Sequence, residues 1–120
     1  MVEIVTVHPG ELLKAAGLDV DLPAYALAGI EDGRFIAVGG LAWSKGICWL
    51  FFHMLDPDPK YRFRVISCGR RLIRHARQLG ETSIFVGRDA SFASSERLLK
   101  LLGFELAGEE SGVEIWHCEI

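Results

Sequence analysis

Apolar and polar residues alternate through VEIVTV (Val2 to Val7), which is the two-residue period of a half-buried strand. Pro9 then opens GELLKAAG, and this predicts a helix of about two turns closed by Gly17. The apolar runs AYALAGI and RFIAVGGLAW flank Glu31, Asp32 and Gly33, and Asp-Gly between two such runs predicts a hairpin. Gly39 and Gly40 weaken the second arm and predict a bend or a close backbone approach. A turn at Ser44-Lys45-Gly46 leads into ICWLFFHML, whose unbroken apolar character predicts a central strand covered on both faces. Ile66, Gly69, Ile73 and Ala76 recur at spacings of three and four, so residues 64–79 are predicted as an amphipathic helix stopped by Gly80. SIFVG predicts a short buried strand, and Ser91 or Ser94 is placed to cap a helix over SERLLKLLG, with Gly103 as its stop. FELAG and VEIWHCEI then close as a hairpin around EESG. The order β-α-β-β-β-α-β-α-β-β implies an α+β fold, a mixed and mostly antiparallel sheet with flanking helices. Residues 1–120 read as a single domain, since a chain of this length holds one core and not two.

Composition adds compartment and charge to this picture. Half of the residues are apolar and 24% are charged, a globular composition. The longest apolar run, ICWLFF, is far short of the roughly 20 residues that span a bilayer. The N-terminus has no basic, apolar leader pattern, and Cys48, Cys68 and Cys118 have no metal-like spacing, so the expectation is a cytoplasmic protein with reduced, mostly buried thiols and no metal. The charge is unevenly placed. Seven of the thirteen Lys and Arg lie between Lys60 and Arg77, with no acidic residue between Pro59 and Gly80, on a chain of net charge -3. Arg70, Arg71, Arg74 and Arg77 fall on the polar side of the predicted helix. They read either as a solvated surface or as a docking face for an acidic protein partner. Nucleic acid is disfavoured, because the helix lacks a recognised DNA-binding motif and the net charge gives no general attraction.

The residues that follow ICWLFFHML carry a resemblance. PKYRFRVIS is similar to the turn P-E-Y-R-G-R-G-I-G of the GNAT acetyltransferase family, SIFVGRD resembles that family's fifth strand, and ASFASSERLLKLLGFELAGEESGVEIW resembles its closing helix and hairpin. The likeness spans roughly residues 24 to 118. A narrower one exists to short GNAT-like proteins encoded by bacteriophages, some of them associated with virion assembly, for which a virion location would replace a cytoplasmic one. The resemblance implies an N-acyltransferase that passes an acetyl group from acetyl-CoA to an amine by direct attack. Its alternative is a GNAT-fold protein of weak or lost activity that serves as a virion component or binding module.

The resemblance also implies a site. Family members seat the pyrophosphate of CoA on backbone N–H groups at a helix N-terminus, where the dipole is positive and glycines let the chain approach. Here the corresponding residues are Arg62, Phe63, Arg64, Val65, Ile66 and Ser67, with Leu55 at the end of the preceding strand. Phe63 and Val65 stand where the family favours glycine, so side-chain bulk is expected to crowd the phosphates. The Tyr that often protonates the leaving thiolate corresponds to Leu99, and a frequent helix-opening Asn to Phe92; neither side chain replaces the polar group. His53 is the one side chain in ICWLFFHML that ordinarily titrates near neutral pH, which makes it the candidate base; on an apolar strand it also reads as a hydrogen-bonded core residue. Trp43, next to a turn, reads as a sheet-face residue or as part of a substrate cleft.

Overall fold

Three two-residue turns lay down most of the sheet. Asp32-Gly33, Lys45-Gly46 and Ser111-Gly112 all have positive φ at both positions, the turn whose twist matches that of paired strands. In the computed structural model, which describes residues 2–7, 24–56, 58–89 and 93–120, they join β2 (Ala24–Glu31) to β3 (Arg34–Ser44), β3 to β4 (Ile47–Met54), and β6 (Glu105–Glu110) to β7 (Val113–Glu119). With β1 (Glu3–Val7) and β5 (Ser83–Asp89) they form one seven-stranded sheet of order β1-β2-β3-β4-β5-β7-β6. The helices are α1 (Arg62–Gln78) and α2 (Ala93–Leu102). This is the expected mixed, mostly antiparallel architecture. The helix predicted near residues 10–17, the capping side chains of Ser91 and Ser94, and Phe92 lie outside the described residues.

Both helices cover the same face of the sheet. Leu27, Leu41, Leu50, Ile84, Val86, Trp116 and Cys118 pack with Cys68, Leu72, Ile73 and Ala76 of α1 and with Leu99 of α2 in one core. Each fully buried Leu or Ile stabilises the fold by about 2 kcal/mol relative to an exposed one. The sequence spacing of α1 accounts for its burial, and Gly69 lets α2 approach: a Cβ there would come 2.8 Å from Leu102. Each helix ends at a glycine of positive φ, Gly80 and Gly103, where the next N–H reaches five residues back (Glu81 to Ala76, Phe104 to Leu99).

Two irregularities shape the end of the sheet that matters. The β2–β3 register shifts after Gly29, so that Ile36 is the extra residue on β3, and its carbonyl accepts the N–H groups of both Leu55 and Asp56 at 2.9 Å. In addition, β4 and β5, the only parallel pair among the described strands, are in register only at Trp49 with Phe85 and Leu50 with Val86. Beyond Leu50, β4 pairs with β3 alone, through Phe51 to Met54. The two parallel strands therefore part toward their C-terminal ends.

Candidate functional site

The turn between β4 and α1 aims the helix at this opening, and its own side chains fix it. Asp56 pairs with Arg34 at 3.0 Å, Asp58 accepts the Lys60 N–H at 3.0 Å, and the buried Tyr61 donates its hydroxyl to Glu31 at 3.1 Å. Asp58 and Pro59 open a 3-10 turn, Pro59–Tyr61, that runs directly into α1. The helix thus begins at Arg62, two residues earlier than its periodicity predicts.

That earlier start changes what the candidate residues do. A helix cannot satisfy its first four N–H groups internally. Here Tyr61 N–H goes to the Asp58 carbonyl and Arg62 N–H to that of Pro59, while from Val65 onward the carbonyls of α1 accept them. At most the amides of Phe63 and Arg64 are left for an anion, and those of Ile66 and Ser67 belong to the helix. Val65 lies on the sheet side of α1, where with Ile4, Leu27, Phe52 and Cys68 it lines an apolar cavity of about 30 Å³, too small for an acyl chain. Tyr61 and Arg64, at the start of the helix, line the same cavity. Phe63 is 70% exposed and carries the Arg62 guanidinium 5.1 Å above its ring. Arg62 and Arg64 are exposed, the first turn holds no acid, and the local field favours an anion. Leu55 is exposed, but its N–H is spent on Ile36.

His53 is half-buried near the end of β4 beyond the parting of the strands. Side chains alternate along a strand. Phe52 faces α1, since a Cβ on Gly39 would meet both it and Leu72, so His53 and Phe51 face the other way. Among the described residues His53 has no hydrogen bond. Leu99 is buried in the core, where nothing can lend it the proton-donating role of a tyrosine. Trp43 sits at the opposite end of β4 and donates to Glu81 at 2.9 Å, away from the opening. The three thiols are free and buried; burial raises Cys48 to about 11 and raises Cys68 despite the Arg71 charge beside it, so none is an activated nucleophile. Among the described residues no cluster of His, Cys, Asp and Glu is arranged to hold a metal, and no helix is long and apolar enough to cross a membrane.

Sequence reasoning missed Arg88. It lies on the helix-facing side of β5 near the opening, is 6% exposed, bonds Glu114 of β7 and lies 3.9 Å from Glu96 of α2. Glu114 also accepts the Trp116 indole N–H at 3.1 Å. The signal was the two-residue period: Ile84, Val86 and Arg88 share a face, which puts a charge in line with the core. The Arg88 bond, then that of Trp116, hold the Glu114 carboxyl below its ordinary range. A carboxyl lowered on folding adds stability above its unfolded pKa, and that stability is lost as the pH falls through the folded value. Glu114→Gln should therefore lower Tm at neutral pH, and the gap to the parent protein should close on acidification below the ordinary carboxylate range. Thermal melts across a pH series check this; a gap of constant size would remove the charge from the account.

No protein-family model matches the sequence, and no curated protein matches it. Solved structures do. An IAA acetyltransferase from Bacillus cereus is 14% identical over 100% of both chains, with a TM-score of 0.72. A GNAT family acetyltransferase from Elizabethkingia anophelis with acetyl-CoA bound is 11% identical over 99% of this chain and 98% of its own, with a TM-score of 0.72. The fold is the GNAT fold. The ribosomal-protein-S18-alanine N-acetyltransferase of Escherichia coli adds a third likeness, 18% identical over 100% of this chain and 94% of its own, with a TM-score of 0.66.

Proposed function

We propose that this protein is an N-acetyltransferase that takes acetyl-CoA as donor and a primary amine as acceptor. The observation that carries the reading is the parting of β4 from β5 beyond Leu50 and Val86, in a fold whose solved relatives include one with acetyl-CoA bound. The parted edge of β4 turns backbone N–H and C=O groups into the opening, where an extended amide-bearing arm can pair with them as a strand would. Arg62, Arg64 and the amides of Phe63 and Arg64 face the phosphates at the mouth. The acyl donor supplies an activated thioester. The amine nitrogen attacks its carbonyl carbon, a C–N bond forms, and the C–S bond breaks with the electron pair on sulfur. His53 accepts the proton the amine loses, and the thiolate is protonated by solvent, since Leu99 has no proton to give. Orientation in the cleft carries most of the acceleration.

Leu99 favours a second reading, in which the fold is kept and turnover is lost, leaving a binding or virion-assembly component. Two measurements separate them. Calorimetric titration with acetyl-CoA and with CoA should show saturable binding, and thiol release in the presence of a panel of amines should exceed release without amine. Binding without amine-dependent release supports the second reading; no binding of either ligand rejects the first.

A further inference from the structure

The arginine face of α1 is long and unanswered among the described residues. Arg70, Arg74 and Arg77 recur at one-turn spacing with Arg71 beside them, all exposed. Among the described residues none of them makes an ion pair. The opposite patch is the β6–β7 hairpin. From Leu101 to Ile120 there is no Lys or Arg. Glu114 is taken by Arg88, but Glu105, Glu109, Glu110 and Glu119 are exposed and form no ion pair among the described residues. Charges elsewhere do pair, as Arg34 with Asp56 and Lys100 with Glu96 show.

The two patches adjoin. Cys118 of β7 packs in one core with Ile73 and Ala76 of α1, and the Ile120 N–H bonds the Thr82 carbonyl just past that helix at 2.9 Å, so the end of α1 borders the hairpin. Apolar surface lies along the same elements. Four large apolar side chains are more than half exposed among the described residues, and three of them, Leu79, Leu101 and Leu106, stand at the end of α1, on α2 and on β6.

We propose that the arginine face of α1 and the acidic β6–β7 hairpin form one self-complementary surface, occupied by a second copy of this chain. Adjoining patches of opposite sign match themselves under a two-fold rotation: the basic helix of each copy covers the acidic hairpin of the other, and each contact is made twice. Exposed ion pairs are individually weak, so the association is strongly salt-dependent. This inference does not rest on acetyl transfer.

Sedimentation of the full chain tests it. At about 0.01 M salt, where charges act over roughly 30 Å, the protein should approach a two-chain mass with rising concentration; at about 1 M salt, where they act over about 3 Å, it should return to one chain. Reversing Arg70, Arg71, Arg74 and Arg77 to Glu should weaken association about 100-fold or more, and so should reversing Glu105, Glu109, Glu110 and Glu119 to Arg. An equimolar mixture of the two reversed proteins should associate again, because each then supplies what the other lacks. Neutral Gln versions of both sets guard against loss of folding, and Tm is checked for every variant. A wild-type protein that keeps a one-chain mass at low salt overturns the proposal. So does association that neither reversal changes, and a one-chain protein that binds duplex DNA through the same arginines gives the face to nucleic acid instead.

Discussion

Gly40→Ala should remove about 3 kcal/mol of stability, a large share of the roughly 5–15 kcal/mol available to a domain. A Cβ at this position would fall inside the van der Waals radii of the Tyr25 carbonyl oxygen and of the Phe51 ring, whose Cε1 would lie 2.8 Å away. The first contact is backbone and belongs to the β2–β3 ladder, so it yields only if the strands move apart. Gly39 next to it provides the comparison. A Cβ there would meet the Phe52 ring at 2.9 Å and Leu72 at 3.5 Å, both of them side chains. Gly39→Ala should therefore cost only about 1 kcal/mol, as the ring tilts away. Urea unfolding of both variants reads the difference directly. Adding Phe51→Ala to Gly40→Ala should recover little, because the carbonyl remains. Equal midpoints for the two single variants would mean that β2 and β3 are not paired in this register.

The same two glycines show what the sequence makes legible. A Gly-Gly pair in a strand announces close approach, but not that one residue meets a backbone and the other a ring, because that depends on register with two other strands. The hairpin at Asp32-Gly33 and the helix stops at Gly80 and Gly103 were readable because their cause is local: only certain residues hold positive φ. The start of α1 was equally local and was misplaced. Asp58 followed by Pro59 is a capping residue before a proline at the first position, the usual signature of a helical start. The apolar period of α1, by contrast, becomes regular only further along the helix, and Val65 takes its place on the cavity wall beside Arg64. Arg88, Glu96 and Glu114 come together from β5, α2 and β7, and no spacing in the chain reports that meeting. His53 lies between the two cases. Its strand was evident, but its face and its lack of a hydrogen bond among the described residues were not.

Removing the charges of Arg62 and Arg64 together should weaken acetyl-CoA binding about 100-fold, or roughly 2.8 kcal/mol. The early start of α1 is the reason for so large an effect. With the Tyr61 and Arg62 amides held by Asp58 and Pro59, and those from Val65 onward held within the helix, at most two backbone donors face the phosphates. A fuller loop would share the load among several amides; here the two guanidinium groups must carry most of it. Hydrogen bonds to a charged group contribute about 1.5–3 kcal/mol each, so Arg62→Ala and Arg64→Ala alone should each cost about tenfold. Neither should alter Tm noticeably, since both side chains are exposed. Val65→Gly supplies the opposite case. It removes a side chain from the cavity wall and adds backbone freedom within α1, so it should lower stability by about 1 kcal/mol or more and leave the affinity of the folded protein unchanged. Calorimetry on the three variants, with melting curves beside it, separates the terms. If the parent protein binds acetyl-CoA and the double arginine variant binds it equally well, the phosphates do not sit at the N-terminus of α1. If Val65→Gly is the variant that changes affinity, then Val65 faces the ligand after all and the helix begins later than Arg62.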